Sequence, residues 1–375
     1  MNMGEWKEYK IGDIAEILDS RRRPLSSMER SKRKGQYPYY GASGIIDYLD
    51  GYVFEGEHVL ISEDGENLRS RQTPIAFLAD GQFWVNNHAH IVKSDYVHNR
   101  LICYYLANMD LNPFLTGAVQ PKLSQDSLIR IPLFLPESLD ERKEIVSILS
   151  SLDDKIDLLH RENTTLEAMA ETLFRQWFIE EANGDEISLG EVVKTTSGGT
   201  PSRKKEEYYC NGNIAWVKSK ELQCSYILDT EEKITEDAVA NSSAKLLPKN
   251  SVLIAMYGAT VGEYGILAKP MTCNQAVCAL IPNENYPYTY LYLWARSMQE
   301  DFVNLACGAA QQNISQELIK QQCVSTDLKL IADFHTLVNP YMKKIKLNQE
   351  MIGTLIQMRD GLLPKLMNRE ISIYG

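Results

Sequence analysis

The sequence predicts an α+β protein, with two duplicated mixed α/β domains and two long helices packed as an antiparallel coiled coil. Three observations predict this fold: an internal repeat with an offset of about 190 residues, short β-rich runs in both copies, and a heptad pattern after each copy. Gly117–Ser124 returns as Gly308–Ser315, and Ile11–Ile14 returns as Leu189–Val192. Because solenoid units are only about 20–50 residues long, a repeat this long indicates a duplicated domain.

The repeat divides the chain into four segments. The first mixed domain is expected at residues 1–136, the first long helix at 137–184, the second mixed domain at 185–327 and the second long helix at 328–375. A chain of 375 residues exceeds what one hydrophobic core usually supports, so two domains are the natural count. Runs of β-branched and aromatic residues between Gly, Pro, Asn and Asp predict short strands. The clearest predicted strands are His58–Ser62, Ile75–Leu78, Phe83–Val85, Ser251–Met256 and Ala276–Ile281, with short helices at Asn99–Met109 and Tyr288–Leu305.

The segment after Pro136 reads as a long helix. Ser138 with Glu141 three residues later is a capping-box pattern, and Asn183-Gly184 is a reasonable end. From Ile145 to Trp177 the apolar residues step alternately by four and three, which is a coiled-coil pattern.

Adding 189 to these positions gives a second seam that runs from Phe334 to Leu366, with Arg359 as its one clear lapse. Pro340 and Pro364 are expected to restrict or kink this second helix. Asn163 and Asn348 interrupt the two seams; they either set the register of the pair or are solvated positions.

Composition argues for a cytoplasmic globular protein. No run of about 18 apolar residues predicts a membrane span, and Met1–Lys10 lacks the apolar core of a signal peptide. The seven cysteines show no C-x-x-C spacing, so reduced thiols are expected. The net charge of −11 is concentrated: residues 137–186 carry −9, while residues 187–375 are neutral. Each domain can therefore present a basic face.

Catalytic and metal sites are not expected on this chain. Asn112–Phe114 and Asn339–Tyr341 lack the second proline of an amino-methyltransferase loop, and Glu141–Lys143 matches only a fragment of a nuclease site. His88 and His90 would point to one side of a strand, but their counterparts in the second copy, aligned as Gln275 and Val277, could not repeat a metal site.

Basic clusters beside aromatic residues appear early in both copies and indicate DNA contact. Cations that neutralise phosphates give affinity, while Arg, Asn and Gln can also read base edges. The alternatives are a merely solvated loop for the cations and a common structural turn for the closing Gly-Ala-x-Gln motif. The predicted DNA-binding residues are Arg21, Arg22, Arg23, Arg30, Lys32, Arg33, Lys34, Tyr37, Arg69, Arg71, Gln120 and Lys122 in the first copy, and Arg203, Lys204, Lys205, Tyr208, Lys218, Lys220, Gln311, Gln312 and Asn313 in the second.

Over its full length the chain resembles the specificity subunits of type I restriction–modification systems. The resemblance rests on the alternation of domain and helix, on the opening Trp6–Ile14, on the closing motif of both copies and on the tail Met358–Met367.

This resemblance implies two target-recognition domains that read the halves of a split double-stranded DNA sequence, separated by spacer helices. It also implies partners: two modification subunits, which carry S-adenosylmethionine and methylate adenine, and restriction subunits that translocate and cut. The chain itself would hold no cofactor. Because the two basic loops differ, the target should be asymmetric. If the pair of heptad helices spaces the two domains, the half-sites should lie one helical turn apart, on the order of 34 Å. The alternative is a non-catalytic protein-interaction scaffold that does not read DNA.

Overall fold

The computed structural model describes residues 5–117, 120–181, 184–307, 313–367 and 370. The chain forms two compact units, the first made of residues 1–155 and 355–375 and the second of residues 156–354. These boundaries fall inside the long helices rather than at their ends, because each part of a helix packs against the body next to it. No helix in these described ranges is long and apolar enough to cross a membrane.

The first unit is built from two four-stranded sheets and a closing pair of strands. Trp6–Lys10 lies antiparallel to Pro132–Pro136, so the start and the end of the body are joined. The first sheet has the order Glu16–Ile17, Ala89–Lys93, His58–Ser62, Ala76–Ala79, and the second has the order Gly44–Leu49, Lys34–Gly41, Gln82–Val85, Phe54–Glu55. The remaining elements are the strands Leu115–Thr116 and Lys122–Leu123, the helices Ile11–Ile14, Ser27–Ser31, Asn67–Ser70, Tyr96–Asn108 and Gln125–Leu128, and the 3₁₀ turns Asp19–Arg21 and Asn112–Phe114.

The second unit repeats this plan. Glu186–Ser188 lies antiparallel to Cys323–Ser325 and joins the ends of the body in the same way. The larger sheet has the order Lys194–Ser197, Val277–Ile281, Val252–Ala255, Tyr264–Leu267, Ser225–Ile227, and the smaller has the order Lys233–Ile234, Ile214–Val217, Thr272–Cys273. The helices are Leu189–Val192, Glu236–Ala240, Tyr288–Ser297, Gln299–Cys307 and Gln316–Gln321, with 3₁₀ turns at Glu206–Tyr208, Ser219–Glu221 and Gly258–Thr260. The segment predicted as one helix from Tyr288 to Leu305 is therefore two helices.

Strand pairing corrects the alignment of the two copies by one residue. His90 lies opposite Ile61, and Cys278 lies opposite Ile254, so Cys278 is the counterpart of His90. The predicted alignment of His90 with Val277 was therefore wrong by one residue. In the same register Asn86 and Asn274 match, and each side-chain oxygen accepts a hydrogen bond from the backbone N–H two residues later.

The long helices are Leu139–Arg175, which continues into a π-helix at Gln176–Glu180, and Leu328–Met367. Ser138 Oγ accepts from the N–H of Glu141 at 3.4 Å, which is one half of the predicted capping box. Asp327 caps the second helix by accepting from the N–H of Leu330 at 2.9 Å.

The predicted seam is buried in both units, and the helices run antiparallel in each. In the first unit, Asp153 forms an ion pair of 2.9 Å with Arg359, which accounts for the lapse in the second seam. In the second unit the ring of Phe174 lies 5.8 Å from that of Phe334. The helix continues through Pro340 and Pro364 without interruption. The buried contacts around Phe334 outweigh the local cost of a helical proline, which is about 3 kcal/mol.

Candidate nucleic-acid interface

The three consecutive arginines of the first body have different surroundings. Arg21 ends a 3₁₀ turn and is exposed, with its guanidinium 5.3 Å from the centre of the Phe54 ring. Arg23 is also exposed, and neither of these two side chains forms an ion pair within the described parts of the chain. Arg22 points inward and is only 17% exposed. The loop therefore presents two arginines to solvent and uses the third to hold itself in place.

Arg22 belongs to a network of ion pairs inside the first body. Its Nη1 lies 2.5 Å from Glu63 Oε2, and its Nη2 lies 3.4 Å from Asp19 Oδ2. Asp19 also lies 2.5 Å from Nδ1 of the buried His90. Burial alone would raise the pKa of the Asp19 carboxyl, but the hydrogen bond and charge of His90, helped by Ile91 N–H and Arg22, lower it below its usual value.

The geometry of Asp19, Glu63 and His90 resembles a metal site, because one ligand atom from each lies within 4.8 Å of the others. The carboxylate of Glu63 is, however, already bonded by Arg22 and by Lys122, whose Nζ lies 3.2 Å away. A cation would have to displace both, so the cluster acts as a structural network. His88 is not part of it, because its ring bonds Asp64 at 2.9 Å.

The other cations of the first basic cluster surround the hairpin formed by strands Lys34–Gly41 and Gly44–Leu49. Arg30 and Lys34 both pair with Asp47, at 3.2 and 2.5 Å, and Arg33 pairs with Asp50 at 2.7 Å. Lys32 is exposed and forms no ion pair in the described chain. The ring of Tyr37 packs against that of Tyr52 with centroids 5.2 Å apart.

A tryptophan organises the basic loop of each body. In the first body, Trp84 Nε1 donates to the carbonyl of Arg23 at 2.5 Å, and the Arg33 guanidinium lies 5.0 Å from the Trp84 ring. In the second body, Trp216 Nε1 donates to the carbonyl of Gly199 at 3.0 Å, and the Arg203 guanidinium lies 5.1 Å from the Trp216 ring. Both indoles are buried. Each body therefore has a buried tryptophan that fixes a loop and lies beside an arginine. The two tryptophans stand on different strands of the matching parallel pair, since Trp84 lies opposite Tyr39 and Trp216 lies opposite Thr272.

The cations of the second body are also paired. Glu232 accepts from Arg203 and from Lys218, both at 2.7 Å, while Lys220 lies 2.6 Å from Glu231. Exposed pairs of this kind stabilise a protein by only about 0–1 kcal/mol. A phosphate can therefore replace the carboxylate at little cost in stability.

Two lysines of the second basic loop differ in their surroundings. Lys205 Nζ donates to the hydroxyl of the buried Tyr208 at 2.8 Å and lies over its ring. Lys204 is exposed and makes no bond within the described residues. Lys204 is thus the cation of this loop that is available without breaking an internal contact.

Arg69 and Arg71 have structural partners in the first unit. Arg71 adopts a left-handed backbone conformation, with φ of 50°, and donates to carbonyls at the end of helix Tyr96–Asn108, including Ala107 O at 2.8 Å. Arg69 donates to Gly117 O at 3.3 Å and stays exposed. Arg71 thus satisfies carbonyls that a helix end leaves unpaired.

The closing motifs occupy matching places in the two bodies. Lys122 forms an isolated β-bridge with Asp64, and Asn313 forms one with Tyr257. This shared bridge favours the structural-turn interpretation of the motif. Gln120 is exposed, whereas Gln311 and Gln312 lie outside the described residues.

Sequence reasoning missed a group of exposed apolar side chains on the first hairpin and just after it. Ile45, Ile46, Tyr48 and Tyr52 are 46%, 51%, 50% and 42% exposed. The only signal was the β-branched pair after Gly44, which by itself predicts a strand and not its exposure. Ile45, Ile46 and Tyr48 lie on the strand that pairs with the strand of Lys34, so exposed apolar and cationic side chains occur on the same hairpin.

Each body thus carries a basic loop held by a tryptophan, and each is followed by a long helix. The family model for the type I restriction modification DNA specificity domain matches the chain twice, at residues 3–168 and 183–326. The chain belongs to this family. Membership confirms the predicted resemblance and the fold class, and with them the prediction of a specificity subunit rather than a catalytic one.

Individual relatives agree with this assignment. The chain is 23% identical over 410 residues to the MjaIX type I restriction enzyme specificity subunit of Methanocaldococcus jannaschii, covering 98% of this chain and 94% of that protein. It is 30% identical over 212 residues to the EcoR124I/EcoR124II specificity subunit of Escherichia coli, but that match covers only 54% of this chain and 52% of that protein. A crystal structure of a type I S subunit from M. genitalium superimposes with a TM-score of 0.66 over 98% of this chain and 97% of that chain. At 16% identity, this last likeness shows the fold alone.

Proposed function

We propose that the two bodies read two different halves of one asymmetric, bipartite double-stranded DNA target. The observation that carries this proposal is the tryptophan-held basic loop, which is present in both bodies with different side chains. Arg21 and Arg23 are exposed on the first loop, whereas Lys204 and Arg203 are exposed on the second. Two similar bodies with different loops suit two different half-sites.

The chemistry of methylation and cleavage would belong to partner subunits. The long helices would dock modification subunits that bind S-adenosylmethionine, and restriction subunits would join that assembly. The family assignment supports this arrangement. The acidic stretch of residues 137–186, which carries a net charge of −9, also supports it, because an acidic helix suits contact with protein better than contact with phosphate.

Methylome sequencing of cells that express this chain with its modification subunit tests the proposal. We expect one split motif with two unlike halves, separated by a fixed spacer. Arg33→Gln should relax only the half read by the first body, and Arg203→Gln only the other half, because each guanidinium stacks on the tryptophan of its own body.

The variants Arg33→Lys and Arg203→Lys serve as controls. They keep the positive charge that attracts phosphate but lack the planar guanidinium. A single uninterrupted motif, or a palindrome, would refute the proposal. Equilibrium dialysis of S-adenosylmethionine against the isolated chain provides a second test. Retention of the cofactor by this chain alone would contradict the division of labour.

A further inference from the structure

A cleft of about 600 Å³ lies in the second unit, between the end of the first long helix and the start of the second. One side of it is formed by the π-helix Gln176–Glu180, which contributes Trp177, Phe178 and Ile179. Such π-helical turns are rare and occur frequently at functional sites. Nothing in the DNA interface uses this cleft.

The aromatic wall of the cleft is held rigidly. The Phe178 ring packs at 5.0 Å from Tyr290 and at 5.2 Å from Phe334, and both contacts are edge-on. Trp294, also on the wall, donates its indole N–H to Cys323 O at 2.9 Å. A wall of fixed aromatic faces is suited to stacking of a ligand, because little side-chain freedom is lost on binding.

The rim of the same cleft is acidic. Five carboxylates line it, those of Glu181, Asp185, Glu186, Asp301 and Asp327, and no Lys, Arg or His does so among the described residues. Asp327 is used as a helix cap, but Asp301 and Glu186 are exposed and form no ion pair within the described chain. On the DNA-facing surfaces, by contrast, carboxylates such as Glu232 and Asp47 have cationic partners.

The first unit provides an internal comparison. At the matching place, beside the closing strands and helix Tyr96–Asn108, only a space of about 10 Å³ remains. Among the residues that the structure describes, it is enclosed by apolar and aromatic side chains, including Trp6, Leu363 and Leu366, and no carboxylate lines it. The acidic cleft is therefore a feature of the second copy and not a consequence of the shared fold.

We propose that this cleft binds a basic segment of a partner protein, with one arginine or lysine side chain against the aromatic wall. A cation over an aromatic face is attracted by the ring, and the rim carboxylates add charge-assisted hydrogen bonds. Nucleic acid does not fit, because the rim would repel phosphate. A purely apolar helix does not fit either, because it would bury the carboxylates without partners. This inference goes beyond DNA reading and does not depend on it.

The test uses the full-length chain and a fluorescein-labelled peptide with three arginines separated by glycine and serine. The cleft variant is Asp301→Asn/Glu186→Gln, and the matched control is Glu300→Gln/Glu191→Gln, whose exposed carboxylates lie outside the cleft. Both variants remove two negative charges, so general attraction to a chain of net charge −11 is changed equally. Fluorescence anisotropy measures binding, and thermal melting verifies that both variants fold.

We expect the cleft variant to bind the peptide at least tenfold more weakly than the wild-type chain, and the control to stay within about twofold. A peptide with citrulline in place of arginine should not bind, since it keeps the shape and loses the charge. Equal weakening in both variants would overturn the proposal, and so would undiminished binding to the cleft variant. Displacement of the peptide by spermidine at a lower concentration than by unlabelled peptide would overturn it as well, because the occupant would then be a polyamine.

Discussion

Asn348 donates its side-chain Nδ2–H to Asn163 Oδ1 at 2.8 Å, and both residues are buried in the apolar seam of the two long helices. Asn348 Nδ2 also donates to Glu162 Oε2 at 2.9 Å. The sequence left open whether these two residues set the register of the helices or are solvated, and their burial excludes the second interpretation. A polar pair in an apolar seam is satisfied in only one register, so it specifies helix alignment at some cost in stability.

Replacing one member of this pair should destabilise the helices. Asn348→Leu leaves the buried oxygen of Asn163 without its donor, which should cost about 1–3 kcal/mol. The double variant Asn163→Leu/Asn348→Leu removes both polar groups and should recover most of that loss. Thermal unfolding of the single and double variants measures the coupling. If the free-energy changes of the two single substitutions simply add up in the double variant, the two side chains do not stabilise each other across the seam.

The three arginines of the first loop should behave differently on substitution. Arg21→Ala/Arg23→Ala should weaken DNA binding and reduce the slope of log affinity against log salt by about 2, since about one counterion is released per phosphate contact. Arg22→Ala should instead lower the melting temperature, because it leaves Glu63 and Asp19 short of a partner. Filter binding over a salt series and thermal melting separate the two effects. An unchanged slope for the double variant would exclude this loop from phosphate contact.

Glu232 should restrain DNA binding by the second body. It pairs with both Arg203 and Lys218, so Glu232→Gln should free Arg203, leave Lys218 with only Glu231 at 3.9 Å, and strengthen binding to non-specific duplex at low salt. Glu236→Gln is the matched control, because Glu236 is an exposed carboxylate of the same body with no ion pair in the described chain. Fluorescence anisotropy with a labelled duplex compares the variants. If both strengthen binding equally, general charge rather than this pairing is responsible.

Acid should destabilise the first unit through Asp19 and Glu63. Burial raises the pKa of both carboxyls, but the partners of Asp19, His90 first, and those of Glu63, Arg22 first, lower each pKa below its ordinary value. A lowered carboxyl pKa stabilises the fold above the unfolded pKa, and this stability is lost as the pH falls through the folded pKa. Stability should therefore decline below about pH 4.

The Asp19→Asn variant tests this acid sensitivity. At pH 7 it should melt at a lower temperature than the wild-type chain. Between pH 7 and pH 3, however, its melting temperature should fall by less than that of the wild type. Asp126→Asn, at an exposed carboxyl of the same unit, should follow the wild-type curve. Parallel curves for the wild type and Asp19→Asn would contradict the linkage.

Five of the seven cysteines should fall into two reactivity groups. Burial raises the pKa of Cys103, Cys273 and Cys278 to about 12, whereas Cys210 and Cys323 are exposed. At pH 8 Ellman's reagent should react quickly with the exposed pair and reach the other three only after unfolding. The variant Cys210→Ser/Cys323→Ser should lose the fast phase. Survival of that phase would mean that another thiol is reached in the folded chain.

The heptad seam and the repeat could be predicted because they depend on local periodicity. The strand His58–Ser62 and both long helices lie where the sequence placed them, since alternation and apolar spacing are properties of neighbouring residues. The site was less accessible to such reasoning. The sequence grouped Arg21, Arg22 and Arg23 as equivalent, yet Arg22 is held by Glu63, which is 41 residues away along the chain.

The amino-acid sequence alone was enough to predict a duplicated α+β protein with two heptad helices, because few other folds can bury an apolar pattern that is repeated in this way. Tertiary structure decided which cations face solvent, since Asp47, Glu63 and Glu232 reach them only after the sheets have formed. It also decided that Asn163 meets Asn348, and that the second copy has an aromatic and acidic cleft. These features join residues distant in the chain, and their energies depend on geometry that no local pattern encodes.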